Sequence, residues 1–369
     1  MNKTYLLTGS VGFLGSFLSL ELIKNGHRVI FLGRSKNGIP FRQRAKEALA
    51  QLDLATPTEN IETLEIDLQK DCLGIKNIET LGKIDGIWHL AADLSFKKED
   101  KDRVFSTNIE GTKKVLRLAD KIKAPVYYVS TSYVHGQRPG QILEDELIEP
   151  KKFNNFYEES KFHAEKIVQD WGRMNDKNNF IIFRPSILID SSGKTANLFG
   201  YYAMVYSLYK LKKMAKDRKI KIPFLYSKNT FLNLMPVDVV AKWMNKISNN
   251  PDSIGKTFHI TNPSPFSIKT VAEQTFGPIG IKIFLFRAPL FLVKFYFWYF
   301  CFMGSLIPGF KKMAKRISYY NYYMAGCNTY DMKNTKDILG EEEVENFKLE
   351  PNFVQKRAEH FIKKLENNK

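Results

Sequence analysis

Tyr5-Leu6-Leu7-Thr8-Gly9-Ser10-Val11-Gly12-Phe13-Leu14-Gly15 decides the fold. An apolar strand runs into a loop with glycine at every third position, and the loop opens into a helix whose apolar face is carried by Phe13, Phe17, Leu18, Leu20 and Leu22. Glycines so placed allow a tight turn, close approach of the backbone to a pyrophosphate, and close packing of helix on strand. The free amides at the start of the new helix point at the phosphates. The competing reading is a glycine-rich turn that binds nothing. The strand before and the helix after favour the cofactor loop.

Further along, apolar strands at Arg28–Leu32, Glu62–Ile66, Gly86–Leu90, Pro125–Val129 and Phe180–Phe183 alternate with helical stretches. This order predicts repeated βαβ units, hence a Rossmann-type, doubly wound parallel sheet with helices on both faces. Residues 1–190 are expected to form the cofactor domain, with the sheet completed by about 230–240 and 257–262. Residues 191–256 and 263–369 are left for a smaller, interleaved substrate region. A chain of 369 residues with 44% apolar content is long enough for both.

Cys72, Cys301 and Cys327 are far apart, lack metal-site spacing and form an odd set, so neither a metal nor a disulfide framework is expected. The reducing cytosol is the expected compartment, since the first strand begins within a few residues of Met1 and no secretory signal precedes it. The net charge of +17 calls for an anionic partner or surface. Lysines and arginines crowd residues 210–221 and 311–316, which would suit CoA, a phosphorylated carrier or anionic lipid, with a solvated basic face as the plain alternative. No nucleic-acid module accompanies the charge, so nucleic acid is not an expected partner.

Residues 283–310 are the least ordinary stretch, dense in phenylalanine with Tyr296, Trp298 and Tyr299, and charged only at Arg287 and Lys294. They read as a monotopic element lying on a membrane surface, reinforced by the basic tract after it. Burial in the substrate region, a homodimer contact and a transmembrane helix are the alternatives. Phe199, Tyr202, Tyr206 and Tyr209 share a helical face and read as core packing ahead of a substrate lining. Asn233 to Asp238 reads as a helix start.

The chemistry is carried by Tyr157 and Lys161, four apart on one helix face, and by Thr131, which follows the strand ending at Val129. Thr131 would hydrogen-bond a substrate carbonyl oxygen and Tyr157 would give it a proton. Lys161 would hold the cofactor ribose and lower the tyrosine's pKa from its ordinary value of about 10. At the end of the second strand the sequence has Gly33-Arg34 and no carboxylate, so Arg34 is expected to pair with a 2′-phosphate and select NADPH over NADH.

These motifs, in this order, resemble the extended short-chain dehydrogenase/reductase family over roughly residues 1–275. The resemblance implies catalytic roles for Thr131, Tyr157, Lys161 and Asn108, the last at the start of the helix before the catalytic strand. It also implies cofactor contacts from Thr8, Gly9, Ser10, Val11, Gly12, Phe13, Leu14 and Gly15, from Asp67 and Leu68 at the adenine, and from Leu90, Ala91 and Ala92. Asn108, Tyr157, Lys161, Pro185 and Ser186 complete that set. More narrowly, the stretches from Asp67 to Gly74, Val129 to Val134, Phe183 to Ser186 and Ile260 to Pro263 resemble the thioester-reductase and fatty acyl-CoA reductase branch. That branch implies NADPH-dependent reduction of an acyl-CoA or acyl-carrier thioester, or of a lipid-like carbonyl, to aldehyde or alcohol. A nucleotide-sugar epimerase or dehydratase, a hydroxysteroid-type dehydrogenase and a non-catalytic nucleotide-sensing scaffold are the other readings.

Overall fold

The computed structural model describes residues 2–53, 61–174, 179–190, 200–215, 219–306 and 311–367. Phe199, Lys216, Arg218, Pro308, Phe310 and the expected domain boundary at 191 lie outside them, as does the Arg316 side chain.

Seven strands form one parallel sheet: β1 (Thr4–Thr8), β2 (Arg28–Gly33), β3 (Glu62–Glu65), β4 (Gly86–His89), β5 (Val126–Val129), β6 (Phe180–Pro185) and β7 (Thr257–Ile260). Their order is β7-β6-β5-β4-β1-β2-β3. Tyr5 lies beside Val29 on one side and Gly86 on the other, so the winding reverses between β1 and β4. A crevice opens outside the carboxyl ends of strands at such a reversal. The doubly wound sheet expected from the alternation is therefore present.

Alternation along each strand sends side chains to two cores. Tyr5, Leu7, Phe31, Trp88 and Phe183 pack toward helices α1 (Phe13–Lys24) and, later in the chain, Val237–Asn249. Leu6, Ile30, Ile87, Tyr128 and Ile182 pack the other way, against α2 (Gly111–Ile122) and α3 (Phe156–Met174). Each large apolar side chain removed from water here contributes about 1.5–3 kcal/mol.

Where the sequence suggests that 230–240 completes this sheet, the chain does otherwise. Leu234–Pro236 pairs in parallel with Ile187–Ile189 as a separate two-stranded ribbon, and the helix begins at Val237 behind Pro236. β6 already has β5 and β7 as neighbours, so the strand that pairs with the residues following β6 does so outside the main sheet. Beyond the ribbon, the helix Tyr201–Met214, the parallel pair Ile220–Tyr226 and Ile281–Arg287, and the carboxy-terminal helix Phe353–Asn367 share a third core. Tyr202 and Tyr209 are buried in it, as the core-packing reading anticipates. Helices α4 (Leu290–Leu306) and α5 (Lys311–Ser318) lie on its outside. None of the described helices is long and apolar enough to cross a membrane.

Candidate active site

Backbone geometry builds the cofactor end. Gly9 adopts a left-handed φ of +73°, and a Cβ there would lie 2.7 Å from the Ala91 nitrogen. A Cβ on Gly15 would overlap the Gly9 carbonyl, so the third glycine is what lets α1 close on the loop. Gly12 caps α1 with no side-chain bond, leaving first-turn amides for an anion. Leu14 is core, and Val11 and Phe13 pack against it, so these three shape the loop from behind.

The residues present fit a dinucleotide. Ser10 Oγ and Ser186 Oγ are buried and have no hydrogen-bond partner among the described residues. One lies in the glycine loop. The other follows Pro185 at the end of β6, held by a 3.2 Å bond from its N–H to the Ile260 carbonyl. They are two of eight such buried hydroxyls among the described residues, and their place at the glycine loop and at the carboxyl end of β6 is what makes them suit a polar ligand.

Behind the loop, the hydrogen bonds have one consistent direction. Thr112 Oγ1 donates to the Asn108 carbonyl at 2.6 Å, so it must accept from His89 Nε2 at 3.1 Å. His89 Nδ1 then accepts from Thr8 Oγ1 at 2.8 Å, and Thr8 Oγ1 accepts from the Ala91 N–H at 3.2 Å. Burial, reinforced by the Lys161 ammonium, pulls His89 down to about 3, so the ring is neutral as this chain of bonds requires. Thr8, His89 and Thr112 thus fix Leu90, Ala91 and Ala92 beside the glycine loop. In sequence His89 ends the fourth strand and opens the stretch His89-Leu90-Ala91-Ala92 that resembles the family's cofactor-side loop, but its bonds to Thr8 and Thr112 come from packing.

At the carboxyl end of β2, Arg34 is exposed beyond Gly33, whose missing side chain makes room for the Phe41 ring. The absence of a carboxylate holds for β2 alone. Register places Glu65 of β3 beside Gly33, and its carboxylate accepts from Ser35 Oγ and, at 3.5 Å, from the Phe41 N–H. An acid therefore stands next to Arg34, engaged by its own neighbours. Asp67 is exposed and accepts from Gln69 N–H at 2.9 Å, while its N–H donates to the Leu73 carbonyl at 2.9 Å. Cys72 and Leu73 both hold left-handed backbone to close this loop, which costs about 1–3 kcal/mol for each residue. Leu68 is half-buried against Gly111.

Asn108 lies within a π-helical turn, Ser106–Glu110, between the helix Lys101–Phe105 and α2. The helical run thus begins before Asn108, where the resemblance implies a helix start. The wider turn frees the side chain to accept from Asp93 N–H at 2.7 Å and to donate to the Asp93 carbonyl at 3.0 Å and Ser160 Oγ at 2.8 Å.

Thr131 follows β5 and caps the short turn Ser132–His135, its Oγ1 accepting from Tyr133 N–H at 3.3 Å. The hydroxyl proton remains available to a carbonyl oxygen. Tyr157 is half-buried in the first turn of α3, and Lys161 is buried one turn on, with Nζ 4.0 Å from the centre of the Tyr128 ring. Burial, then the Glu158 carboxylate, raises the Tyr157 phenol above its ordinary range. Burial also pulls Lys161 down to about 7. The lowered tyrosine expected from the Tyr157–Lys161 spacing is not found, because loss of water and then the neighbouring Glu158 carboxylate both raise it.

Two features escape sequence reading. Arg184, buried between the sheet and the chain after β5, donates to Glu165 through Nε at 2.9 Å and Nη2 at 2.6 Å, and to the carbonyls of Leu143 and Glu146. Glu165 in turn accepts from Ser130 Oγ, next to Thr131. The second is an aromatic wall. Phe96 lies 6.1 Å from the Tyr157 ring, and Tyr319 and Tyr320 lie 6.1 and 6.3 Å from Phe96. Tyr323 meets Tyr133 edge-on at 4.8 Å and donates to Glu158. The run Tyr319-Tyr320-Asn321-Tyr322-Tyr323 was the available signal.

The sequence matches the male sterility protein family of NAD-binding domains over residues 7–244, which is more than half of the chain. The protein belongs to that family. It is accordingly of the extended short-chain dehydrogenase/reductase type, similar to the thioester-reductase and fatty acyl-CoA reductase branch. Among solved structures it is similar to the terminal R domain of the myxalamid PKS-NRPS biosynthetic pathway, with TM-score 0.77 and 25% identity, covering 100% of this chain and 91% of that one. It is 34% identical over 149 residues to a UDP-N-acetyl-alpha-D-glucosaminuronate decarboxylase of Bacillus cytotoxicus, covering 40% of this chain and 42% of the relative. It is 30% identical over 166 residues to fatty acyl-CoA reductase 1 of Arabidopsis thaliana, covering 39% and 34%. The chain spans less than half the length of these two curated relatives.

Proposed function

We propose that this reductase acts on an acyl thioester, carried by CoA or by a carrier, or on a lipid-like carbonyl, and that it uses NADPH. The observation that carries the substrate class is the aromatic wall: Phe96, backed by Tyr319 and Tyr320, faces Tyr157 where a sugar nucleotide would call for polar partners. The similarity to a fatty acyl-CoA reductase and to an R domain supports the same reading.

The bound nicotinamide supplies the hydride. Thr131 donates a hydrogen bond to the substrate oxygen, and Tyr157 gives that oxygen a proton as charge develops on it. With a thioester, the resulting hemithioacetal collapses to aldehyde and thiol, and a second reduction gives the alcohol. Lys161 binds the ribose hydroxyls, and Asn108 positions the helix that carries both residues. The glycine loop, Ser10 and Ser186 hold the phosphates, Asp67 and Leu68 border the adenine, and Arg34 takes the 2′-phosphate while Ser35 and the Phe41 amide engage Glu65. Residues 1–190 supply most of this cradle and the later segments the substrate wall. The free thiols of Cys72, Cys301 and Cys327 suit a reducing compartment such as the cytosol.

The test is cofactor oxidation with a panel of acyl-CoAs, fatty aldehydes, ketones and UDP-sugars, with product identification. Aldehyde or alcohol from an acyl-CoA is expected. Turnover of a UDP-sugar alone would favour nucleotide-sugar chemistry, the reading supported by the similarity to a decarboxylase of that class.

A further inference from the structure

Half the circumference of α4 is uncovered, and that half is almost wholly apolar. Val293, Phe297, Cys301 and Gly304 face inward. Phe291, Phe295, Trp298 and Phe302, at spacings of four, three and four, form an outward stripe in which Phe291 is 69% and Trp298 57% exposed. Trp298 and Phe302 stack on each other at 5.6 Å. The strand leading into α4 also points Phe284 and Phe286 outward, at 42% and 55% exposure. A contiguous aromatic surface of this kind marks an interaction site.

We propose that this face docks onto an anionic lipid surface, with α4 lying in the plane of the interface. Charge selects the occupant. No Asp or Glu occurs between Glu273 and Asp331, whereas Lys282, Arg287, Lys294, Lys311, Lys312 and Lys315 fall in that span and are exposed. Such a cationic rim is attracted to acidic headgroups, and Trp and Tyr rings favour the headgroup level. A second copy of the chain would set two like-charged rims against each other across a twofold axis. An in-plane pose suits a helix of 17 residues, at the short end of the length a span needs.

The same segment reaches the candidate site. Lys315 on α5 pairs with Glu99 at 3.0 Å, and Tyr319 and Tyr320, just beyond α5, lie against Phe96 beside Tyr157. The docking proposal stands on the exposed face and does not depend on which carbonyl compound is reduced.

The full chain is sedimented with sucrose-loaded vesicles of phosphatidylglycerol and phosphatidylcholine, and with phosphatidylcholine alone. Binding to the anionic vesicles is expected, weaker by about tenfold or more on neutral ones or when Lys311→Glu and Lys312→Glu are combined. Combined Phe295→Ser, Trp298→Ser and Phe302→Ser should abolish it while circular dichroism and cofactor binding stay unchanged. As a check independent of that variant, tryptophan emission of the intact chain should shift blue on anionic vesicles, and Trp298→Phe should remove the shift but keep binding. An intact chain that stays in the supernatant overturns the proposal, as does undiminished binding by the triple variant. A dimer that the triple variant dissociates, without vesicle binding, overturns it in favour of a second copy. Binding only to an acidic acyl carrier protein would overturn it in favour of that partner.

Discussion

Asn108 is bonded to Ser160 of α3: its Nδ2 donates to Ser160 Oγ at 2.8 Å, and Ser160 Oγ donates to the Tyr157 carbonyl at 2.7 Å. The other Nδ2 hydrogen and Oδ1 are used by the backbone of Asp93, so one side chain fixes the loop after β4 to the first turn of α3. Asn108→Leu keeps the volume but strands the Asp93 amide and carbonyl, at about 1–3 kcal/mol for each unsatisfied group. Urea unfolding should show that loss. Turnover is expected to fall further than cofactor affinity, and an equal fall in both would remove the positioning role.

Tyr157→Phe deletes one hydroxyl from a half-buried ring and leaves its contact with Phe96. Turnover should drop by about 10²–10⁴ with cofactor affinity retained. Steady-state rates paired with cofactor fluorescence titration measure both. A rate within a few-fold of the parent protein would sink the proposed donor.

Lys161 should make cofactor binding pH-dependent in a defined direction. Burial lowers its pKa to about 7, so the ammonium is present below that pH and lost above it. If the charged form holds the ribose, affinity weakens as pH rises from about 6 to about 8, and Lys161→Met flattens the profile. Tighter binding at the higher pH would contradict the assignment.

Cofactor choice can be read from two residues on different strands. Arg34→Ala is expected to weaken NADPH far more than NADH, by about tenfold or more, because a charge-assisted contact to the 2′-phosphate is lost. Glu65→Gln should leave that preference intact or sharpen it, since it removes a nearby negative charge. Equal losses for both cofactors in Arg34→Ala would refute the phosphate contact.

Arg184 is predicted to be structural. Arg184→Met leaves Glu165 buried without its cation and should destabilise the chain by about 3–5 kcal/mol in chemical unfolding. Adding Glu165→Leu should recover part of the loss, because the second change removes the stranded charge. A double variant less stable than the single would rule out that account.

The doubly wound sheet and the glycine loop were legible in local patterns of the chain. Short continuous apolar strands, the glycines from Gly9 to Gly15 and the Tyr157–Lys161 spacing are short-range patterns, set by backbone dihedral angles and side-chain direction within one element. Which elements became neighbours followed from long-range packing. It put Glu65 beside the β2 end, paired Leu234–Pro236 with Ile187–Ile189, and brought Tyr319 and Tyr320 to Phe96. It also set the pKa values at the site, because burial depends on what surrounds a residue more than on its neighbours in sequence. For α4, apolar on every side, composition announced an unusual helix. Which half stayed uncovered was decided by packing, since a helix without a polar face carries no local signal for the side it buries.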